Sequence, residues 1–390
     1  MAKRAQPLGA GGRLGIAVAA SIPLLVAATT VAVIAKAEGS RGLTAADWVA
    51  IRFTVWQAAI SAAISVALAI PVARALARRR FPGRGILITL LGAPFLLPVI
   101  VAIFGLLAVF GRNGVLNGLI VSLGFDPFSI YGAHGVVLAH VFFNLPLATR
   151  LILQGWQGIP SERLRLAATL NMGSAAIARH LELPMLARVV PGALLIIFVI
   201  CTTSFAVALT LGGGPRATTV ELAIYQALRF EFDLSRAAYL AVIQLAITGV
   251  AALVALKFTT APGFGSGFDR GVRRWDAQSP GKRVADFVVI GIAALFLLLP
   301  VASVLYEGLP RIAYLPEAVW IATLRSLLVA LASTVLVVIS ALAMAIAATR
   351  VGPRGRYIEG AGLLAIAASP LVLGTGLFIL LFPVIDPSRL

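Results

Sequence analysis

Hydrophobic residues occur along this chain in long runs separated by short polar segments. The runs lie near 14–35, 55–77, 86–110, 133–153, 189–211, 237–257, 285–306, 324–349 and 359–384. A helix rises about 1.5 Å per residue, so about 20 apolar residues cross a hydrocarbon core roughly 30 Å thick. The pattern therefore predicts nine transmembrane helices.

The composition supports this interpretation. Of the 390 residues, 60% are hydrophobic and only 12% are charged, which is more apolar than the core of a soluble protein requires. We predict an all-α polytopic membrane protein. The single cysteine, Cys201, lies within an apolar run, which excludes an intrachain disulfide.

Basic residues are distributed unevenly between alternate polar segments. Of the 32 Lys and Arg residues, 22 lie in one set of segments, at 1–13, 74–84, 150–188, 257–283 and 350–356. Cytoplasmic loops of membrane proteins carry an excess of Lys and Arg. The net charge of +17 therefore reflects topology rather than a surface for nucleic acid, and the N terminus is predicted to be cytoplasmic.

The segment 159–184 is the longest polar-containing segment between two predicted spans, and it lies on the same side as the N terminus. Glu162 suits the first turn of a helix, and Asn171 is the type of non-glycine residue that best adopts a left-handed turn. A second short helix at 175–182 would end at Pro184. The segment is predicted to form two short helices joined by a hinge, which together make a docking element.

This spacing resembles the EAA loop in permeases of type I ABC importers, whose pattern is Glu-Ala-Ala, three residues, Gly, nine residues and Ile-x-Leu-Pro. With residues 181–184 as the anchor, Arg165 and Ala167 fall within Glu-Ala-Ala and Asn171 falls on the Gly. The resemblance implies an ABC transporter transmembrane domain of type I that binds an ABC ATPase through this loop. The docking residues that it implies are Glu162, Arg165, Ala167, Asn171, Gly173, Ile177, Arg179, Leu183 and Pro184.

In this family a bulky aromatic residue usually follows the hinge by six or seven positions, where this chain has Ile177 and Ala178. The resemblance implies that Ile177 is a hydrophobic knob in a groove of the ATPase, with Arg179 at the rim. The chain has no Gly-x-x-x-x-Gly-Lys-Ser/Thr motif. We therefore expect no cofactor on this chain, and ATP and magnesium on the partner ATPase.

Sequence landmarks recur across a flexible segment at 258–284, which we interpret as a cytoplasmic linker. Trp48 corresponds to Trp320 and Pro98 to Pro370, each at an offset of 272 residues. The offset predicts a fused tandem repeat. Its parts are an N-terminal span and periplasmic segment, a first transmembrane domain, the linker and the start of a second repeat, at 1–50, 51–257, 258–284 and 285–390. A second docking loop would lie at about 433–456, so we expect the second half to be truncated and the transporter incomplete.

Polar residues inside the predicted spans are candidates for a translocation path, because hydrocarbon makes them costly. His140 and Asn144 lie four residues apart on one helix face, and Thr202, Thr203 and Ser204 form a second polar step. Two interpretations stay open: contact with a solute, or hydrogen bonds that hold the helices together. No metal-ligand cluster stands out among the three histidines.

Stretches at 78–84, 138–144 and 211–227 closely resemble thiamine-transport permeases of the ABC type, and the resemblance is specific over 48–257. It implies a multi-pass permease in the bacterial inner membrane, surrounded by lipid, that moves thiamine or its phosphates. Its partners would be a periplasmic substrate-binding protein and two copies of a cytoplasmic ABC ATPase. A ferric-iron ABC permease and an ion-coupled secondary transporter are the alternatives. Secondary transporters usually carry intramembrane carboxylates, and the predicted spans have none in their middle.

Overall fold

The computed structural model describes residues 9–36, 42–92, 97–258 and 274–382, and all regular structure among them is helical. In chain order the α-helices are α1 Ala10–Ala35, α2 Ala45–Arg78, α3 Arg84–Leu91, α4 Val99–Phe110, α5 Val115–Ser122, α6 Ala133–Gln157, α7 Ser161–Thr169, α8 Ser174–Thr202, α9 Ala206–Leu211, α10 Val220–Gln226, α11 Leu234–Phe258, α12 Pro280–Gly308, α13 Glu317–Arg350, α14 Gly355–Ala367 and α15 Pro370–Leu381. Short 3-10 and π-helical turns extend or join several of them.

Eight helical stretches in the described part of the chain are long and apolar enough to cross a membrane. The prediction of nine continuous spans is therefore wrong in part. The predicted span 86–110 is split into α3 and α4, and the predicted span 359–384 into α14 and α15. Each second helix begins at a proline or directly after one, at Pro98 and Pro370. Proline has no N–H and keeps the preceding residue out of the α-helical region, which explains where α4 and α15 begin.

One compact unit comprises residues 49–219 and 257–306. Its core is built from apolar side chains of α2, α4, α6, α8 and α12. Gly105 lets α4 and α12 approach closely, because a Cβ at this position would lie 2.4 Å from the carbonyl oxygen of Pro300. Such contacts through small residues are typical of helices that pack in membranes.

The other compact unit comprises residues 1–48, 220–256 and 307–390. Within it α1 packs against α13, α14 and α15, and α10 packs against α15. Gly15 brings α1 onto α13, since a Cβ at this position would lie 2.0 Å from the carbonyl oxygen of Ala343. The N-terminal helix is therefore held by helices that follow much later in the chain.

Helix lengths recur along the chain. α2 and α13 both contain 34 residues, and they begin 272 residues apart, at Ala45 and Glu317. α4 and α15 both contain 12 residues. α1 comes before α2 in the chain, and α12 comes before α13. Their packing is exchanged, because α1 packs on α13, α14 and α15, whereas α12 packs on the core of α2, α4 and α6. The four predicted domains themselves stay a prediction.

Candidate functional site

The predicted docking element begins with α7 at Ser161 and reaches Pro184; we call it the 161–184 segment. Its first part has the predicted hinge. After α7 the backbone of Asn171 has a φ of 51°, in the left-handed region. Asparagine tolerates this conformation because its short side chain bonds locally. Gly173 is extended and precedes the first residue of α8, Ser174. Asn171 therefore forms the hinge between α7 and α8.

The prediction that Pro184 ends a short helix is wrong. α8 continues to Thr202, and residues Ala178–Glu182 form a π-helical turn just before Pro184. In a regular α-helix the proline ring would collide with the carbonyl group one turn earlier, and the wider turn removes this collision. The docking element is thus continuous with a helix long enough to cross the membrane.

Most of the predicted docking residues are exposed, namely Glu162, Arg165, Asn171, Gly173, Arg179, Leu183 and Pro184. Ala167 and Ile177 are buried, and Ile177 has 0% exposure. In this structure Ile177 therefore presents no side-chain surface to a partner, and its role as the docking knob stays a prediction. Leu166 and Leu170 are instead 59% and 64% exposed. They are four residues apart and share one face at the end of α7; we call them the leucine pair.

Glu162 has a local role at the beginning of α7. It accepts a hydrogen bond from the hydroxyl of Ser161 at 3.2 Å. A backbone hydrogen bond to its own N–H, and this hydroxyl, lower the pKa of the Glu162 carboxyl. A carboxylate here also complements the partial positive charge of the helix N-terminus. Glu162 therefore stabilises the start of α7.

Glu182, in the π-helical turn, is the centre of a buried cluster of ion pairs that was not predicted from the sequence. One carboxylate oxygen lies 2.7 Å from Arg74, and the other lies 2.9 Å from Arg274 and 3.6 Å from Arg78. Arg74 and Arg78 are in the last turns of α2, and Arg274 belongs to the predicted linker. The cluster therefore fixes the 161–184 segment to the end of α2.

The described end of the linker makes further polar contacts. Arg79 donates to the carbonyl oxygen of Ala277 at 2.7 Å and to the carboxylate of Asp286 at 2.6 Å. The ammonium group of Lys282 donates to the hydroxyl of Ser174. Residues 259–273 of the predicted linker lie outside the described residues. The part that follows them lies against both the 161–184 segment and the end of α2.

His140 and Asn144 belong to a buried polar cluster that joins α2, α6 and α8. Asn144 donates from Nδ2 to the carbonyl oxygen of His140 at 2.8 Å and contacts Sγ of Cys201 at 3.4 Å. The hydroxyl of Ser61 lies 3.4 Å from Nδ1 of His140. Gln57 donates to the carbonyl oxygen of Cys201 at 3.0 Å. Gln57 and Ser61 are members of the cluster that were not predicted.

Three atoms of this cluster have no hydrogen-bond partner among the described residues: Oε1 of Gln57, Nε2 of His140 and Oδ1 of Asn144. An unpaired buried polar atom costs about 1–3 kcal/mol. Native proteins satisfy nearly all such atoms with protein groups or ordered water. The cluster therefore offers hydrogen-bonding capacity to a polar group that reaches it.

The predicted span 189–211 is broken after α8. Thr202 and Thr203 donate to the carbonyl oxygen of Val199 at 2.7 and 3.4 Å. These contacts match the interpretation in which the hydroxyl groups bond to their own helix. Ser204 lies in the break between α8 and α9. The second polar step thus marks a helix end inside the predicted span.

A cavity of about 860 Å³ lies between α2, α6 and α12. Among the described residues that line it, only His134 carries an ionisable group. The polar cluster around His140 and Asn144 does not line its wall. Such apolar walls suit hydrocarbon chains rather than a charged solute.

No family model matches the chain, but curated relatives do. It is 42% identical over 345 residues to the thiamine transport system permease protein ThiP of Escherichia coli (strain K12). It is 40% identical over 350 residues to ThiP of Brucella abortus (strain 2308), and 34% identical over 341 residues to ThiP of Haemophilus influenzae. Over most of its length the chain is therefore similar to permeases that are named for thiamine transport.

These alignments cover 85% to 87% of this chain and 63% to 64% of the relatives. The chain therefore spans less than two thirds of the length of the permeases that it matches. The similarity to these permeases and the eight apolar helices among the described residues confirm the predicted fold class, an all-α, multi-pass ABC transporter transmembrane domain.

Proposed function

We propose that this chain is the membrane-spanning permease of an ATP-driven importer for thiamine or its phosphates. The proposal rests on the 42% and 40% identity to two permeases that are named for thiamine transport. These relatives give no support to a ferric-iron permease or to an ion-coupled secondary transporter. A periplasmic binding protein delivers the substrate to the permease.

Energy comes from two copies of a cytoplasmic ABC ATPase, which hold ATP and magnesium. The leucine pair supplies an exposed apolar face beside the Asn171 hinge, and such a face fits a hydrophobic groove on a partner. From the hinge α8 runs without interruption to Thr202. A displacement of α7 by the ATPase is therefore carried along α8 toward the membrane interior.

The distribution of basic residues supports the orientation. With 22 of the 32 Lys and Arg residues on the side of the N terminus and the 161–184 segment, that side is cytoplasmic. The ATPase then binds on the side where ATP is present. We place the chain in the bacterial inner membrane on this basis.

The translocation path passes the break between α8 and α9. His140 and Asn144 carry unpaired polar atoms there, and Ser204 lies in the break itself. Thr202 and Thr203 stabilise the end of α8, because their hydroxyl groups donate to the carbonyl oxygen of Val199. Because His140 and Asn144 are buried, a solute reaches them only after α8 moves.

The test is uptake of labelled thiamine by a strain that lacks its own thiamine permease. Since the chain matches 64% of the Escherichia coli relative, it replaces the aligned part of that permease in a chimera and is also expressed alone. We expect the chimera to restore uptake. A chimera that inserts and binds the ATPase but imports no thiamine would refute the proposed substrate.

A further inference from the structure

We propose that residues 274–286 form a brace that fixes the 161–184 segment to α2 and α12, with Glu182 as its central positioning residue. The brace passes movements of the segment to α12, the leading helix of the second repeat. The existence of the brace follows from contacts within one compact unit. Its role in transmission rests on the proposed function.

Electrostatics make the Glu182 contact specific. Its side chain is only 3% exposed, and a buried carboxylate is costly unless opposite charges and hydrogen bonds compensate it. Arg74, Arg78 and Arg274 provide this compensation from two separate stretches of chain. If the 161–184 segment moved alone, Glu182 would leave these guanidinium groups. The ion pairs therefore favour a joint movement of the segment, the end of α2 and the linker.

The brace is held by polar contacts at both of its ends. Arg274 holds the first end to Glu182. Lys282 contacts Ser174, the first residue of α8. At the other end Asp286, which like Lys282 lies within α12, pairs with Arg79. The segment between the two ends is thus fixed to the docking element and to the residue that follows α2.

From Asp286 the contacts continue along α12 into the membrane. The rings of Phe287 and Phe81 lie 5.8 Å apart, and those of Phe296 and Phe142 lie 5.9 Å apart. Phe142 is on α6 between His140 and Asn144. The brace therefore leads from the docking element to the helix that carries the polar cluster.

Spin-label mobility on the full chain tests the brace without any partner protein. Arg179→Cys places the label on the exposed surface of the 161–184 segment, and the native Cys201 is fully buried and does not compete for the reagent. We expect Arg274→Ala to increase the mobility of this label and Arg274→Lys to restore part of the order. Arg283→Ala, an exposed neighbour in the same stretch, should leave it unchanged.

A second label, at Leu119→Cys on α5, separates a local effect from general loss of structure. Mobility that rises at residue 179 and stays constant at residue 119 supports the brace. Equal mobility at residue 179 in wild type and Arg274→Ala overturns it, as does an equal rise at both positions. If Arg274→Ala does not accumulate, Glu182→Gln, which keeps the shape and removes the charge, gives the same comparison.

Transmission is tested by the ratio of imported substrate to hydrolysed ATP, measured in the chimera with its ATPase. We expect the ATPase bound to the Arg274→Ala chimera to keep hydrolysing ATP while this ratio falls about fivefold or more. An unchanged ratio would show that the brace carries no coupling. Absence of uptake in the unmutated chimera would instead refute the proposed function, and the label experiment would still decide whether the brace exists.

Discussion

Gln57 donates a hydrogen bond from Nε2 to the carbonyl oxygen of Cys201 at 3.0 Å, across 144 residues of sequence. The acceptor lies in the last turn of α8, where carbonyl groups have no helical donor. In the apolar interior of a membrane an unsatisfied carbonyl group is expensive. Gln57 on α2 therefore stabilises the end of α8 beside the break.

Replacing Gln57 with Leu keeps most of the volume and removes the donor. We expect the free energy of unfolding to fall by about 1–3 kcal/mol, measured as a lower thermal midpoint of the purified protein. Gln154→Leu, at an exposed position on α6, is the control and should change stability by less than about 0.5 kcal/mol. Equal midpoints for the two variants would contradict the role of Gln57.

The hinge at Asn171 makes a prediction about backbone strain. Its φ of 51° suits Gly and opposes β-branched residues. Asn171→Val should lower the free energy of unfolding by about 1–2 kcal/mol, whereas Asn171→Gly should be close to neutral. Thermal denaturation compares the two. A valine variant as stable as the glycine variant would show that the hinge relaxes without cost.

The leucine pair predicts which change removes the ATPase. Leu166→Asp puts a charge on the exposed apolar face, so we expect the ATPase to be lost on co-purification while the permease still inserts. Ala168→Asp, exposed on the other side of α7, adds the same charge to the same helix and should retain the ATPase. Ile177→Asp buries a charge without a partner and should instead lower the amount of folded permease.

If Leu166→Asp and Ala168→Asp retain the ATPase equally, the leucine pair is not the contact.

Glu221 predicts how stability depends on pH. It is fully buried on α10 and accepts a hydrogen bond from the hydroxyl of Ser369 at 2.8 Å. Burial raises the pKa of Glu221 from 4.5 to about 7, although the Ser369 hydroxyl opposes this shift. The folded state thus binds the proton more tightly than the unfolded chain. Stability should be greatest below the unfolded pKa and fall as the pH rises through the folded pKa.

The slope should not exceed about 1.4 kcal/mol per pH unit between the two pKa values. Glu221→Gln stays uncharged and should flatten this part of the thermal-midpoint curve. Glu317→Gln, which changes an exposed carboxylate, should leave it as in wild type. A wild-type curve without this fall would show that Glu221 ionises at its ordinary pKa in the folded state.

The charge distribution predicts topology. A reporter inserted after Gly173 should be active in the cytoplasm, and one after Gly213 in the periplasm, because basic residues mark the first side. The control is a reporter that needs a disulfide bond to fold. It is active only in the periplasm, so it should be active after Gly213 and inactive after Gly173. A cytoplasmic signal after Gly213 would reverse the proposed orientation.

Local chemistry explains which features were predictable from the sequence. The apolar runs predict the positions of most spans. The left-handed hinge was predictable from the residue type at position 171, because asparagine adopts this conformation readily. The burial of Ile177 depends on neighbours that no local pattern specifies. The Glu182 cluster joins residues 92 positions apart. Its one sequence signal is that Glu182 is the sole carboxylate between residues 163 and 188, a stretch that also holds several arginines.

The exchange of α1 and α12 has a consequence for biosynthesis. α1 leaves the ribosome before every other described helix, yet its packing partners α13, α14 and α15 are translated after all the others. Until these partners are made, α1 is surrounded by lipid, which tolerates its apolar surface. The core of α2, α4 and α6 likewise stays open until α12 has been made. Assembly therefore follows translation of α12 to α15, and a ribosome that stops before α13 leaves α1 permanently without its neighbours.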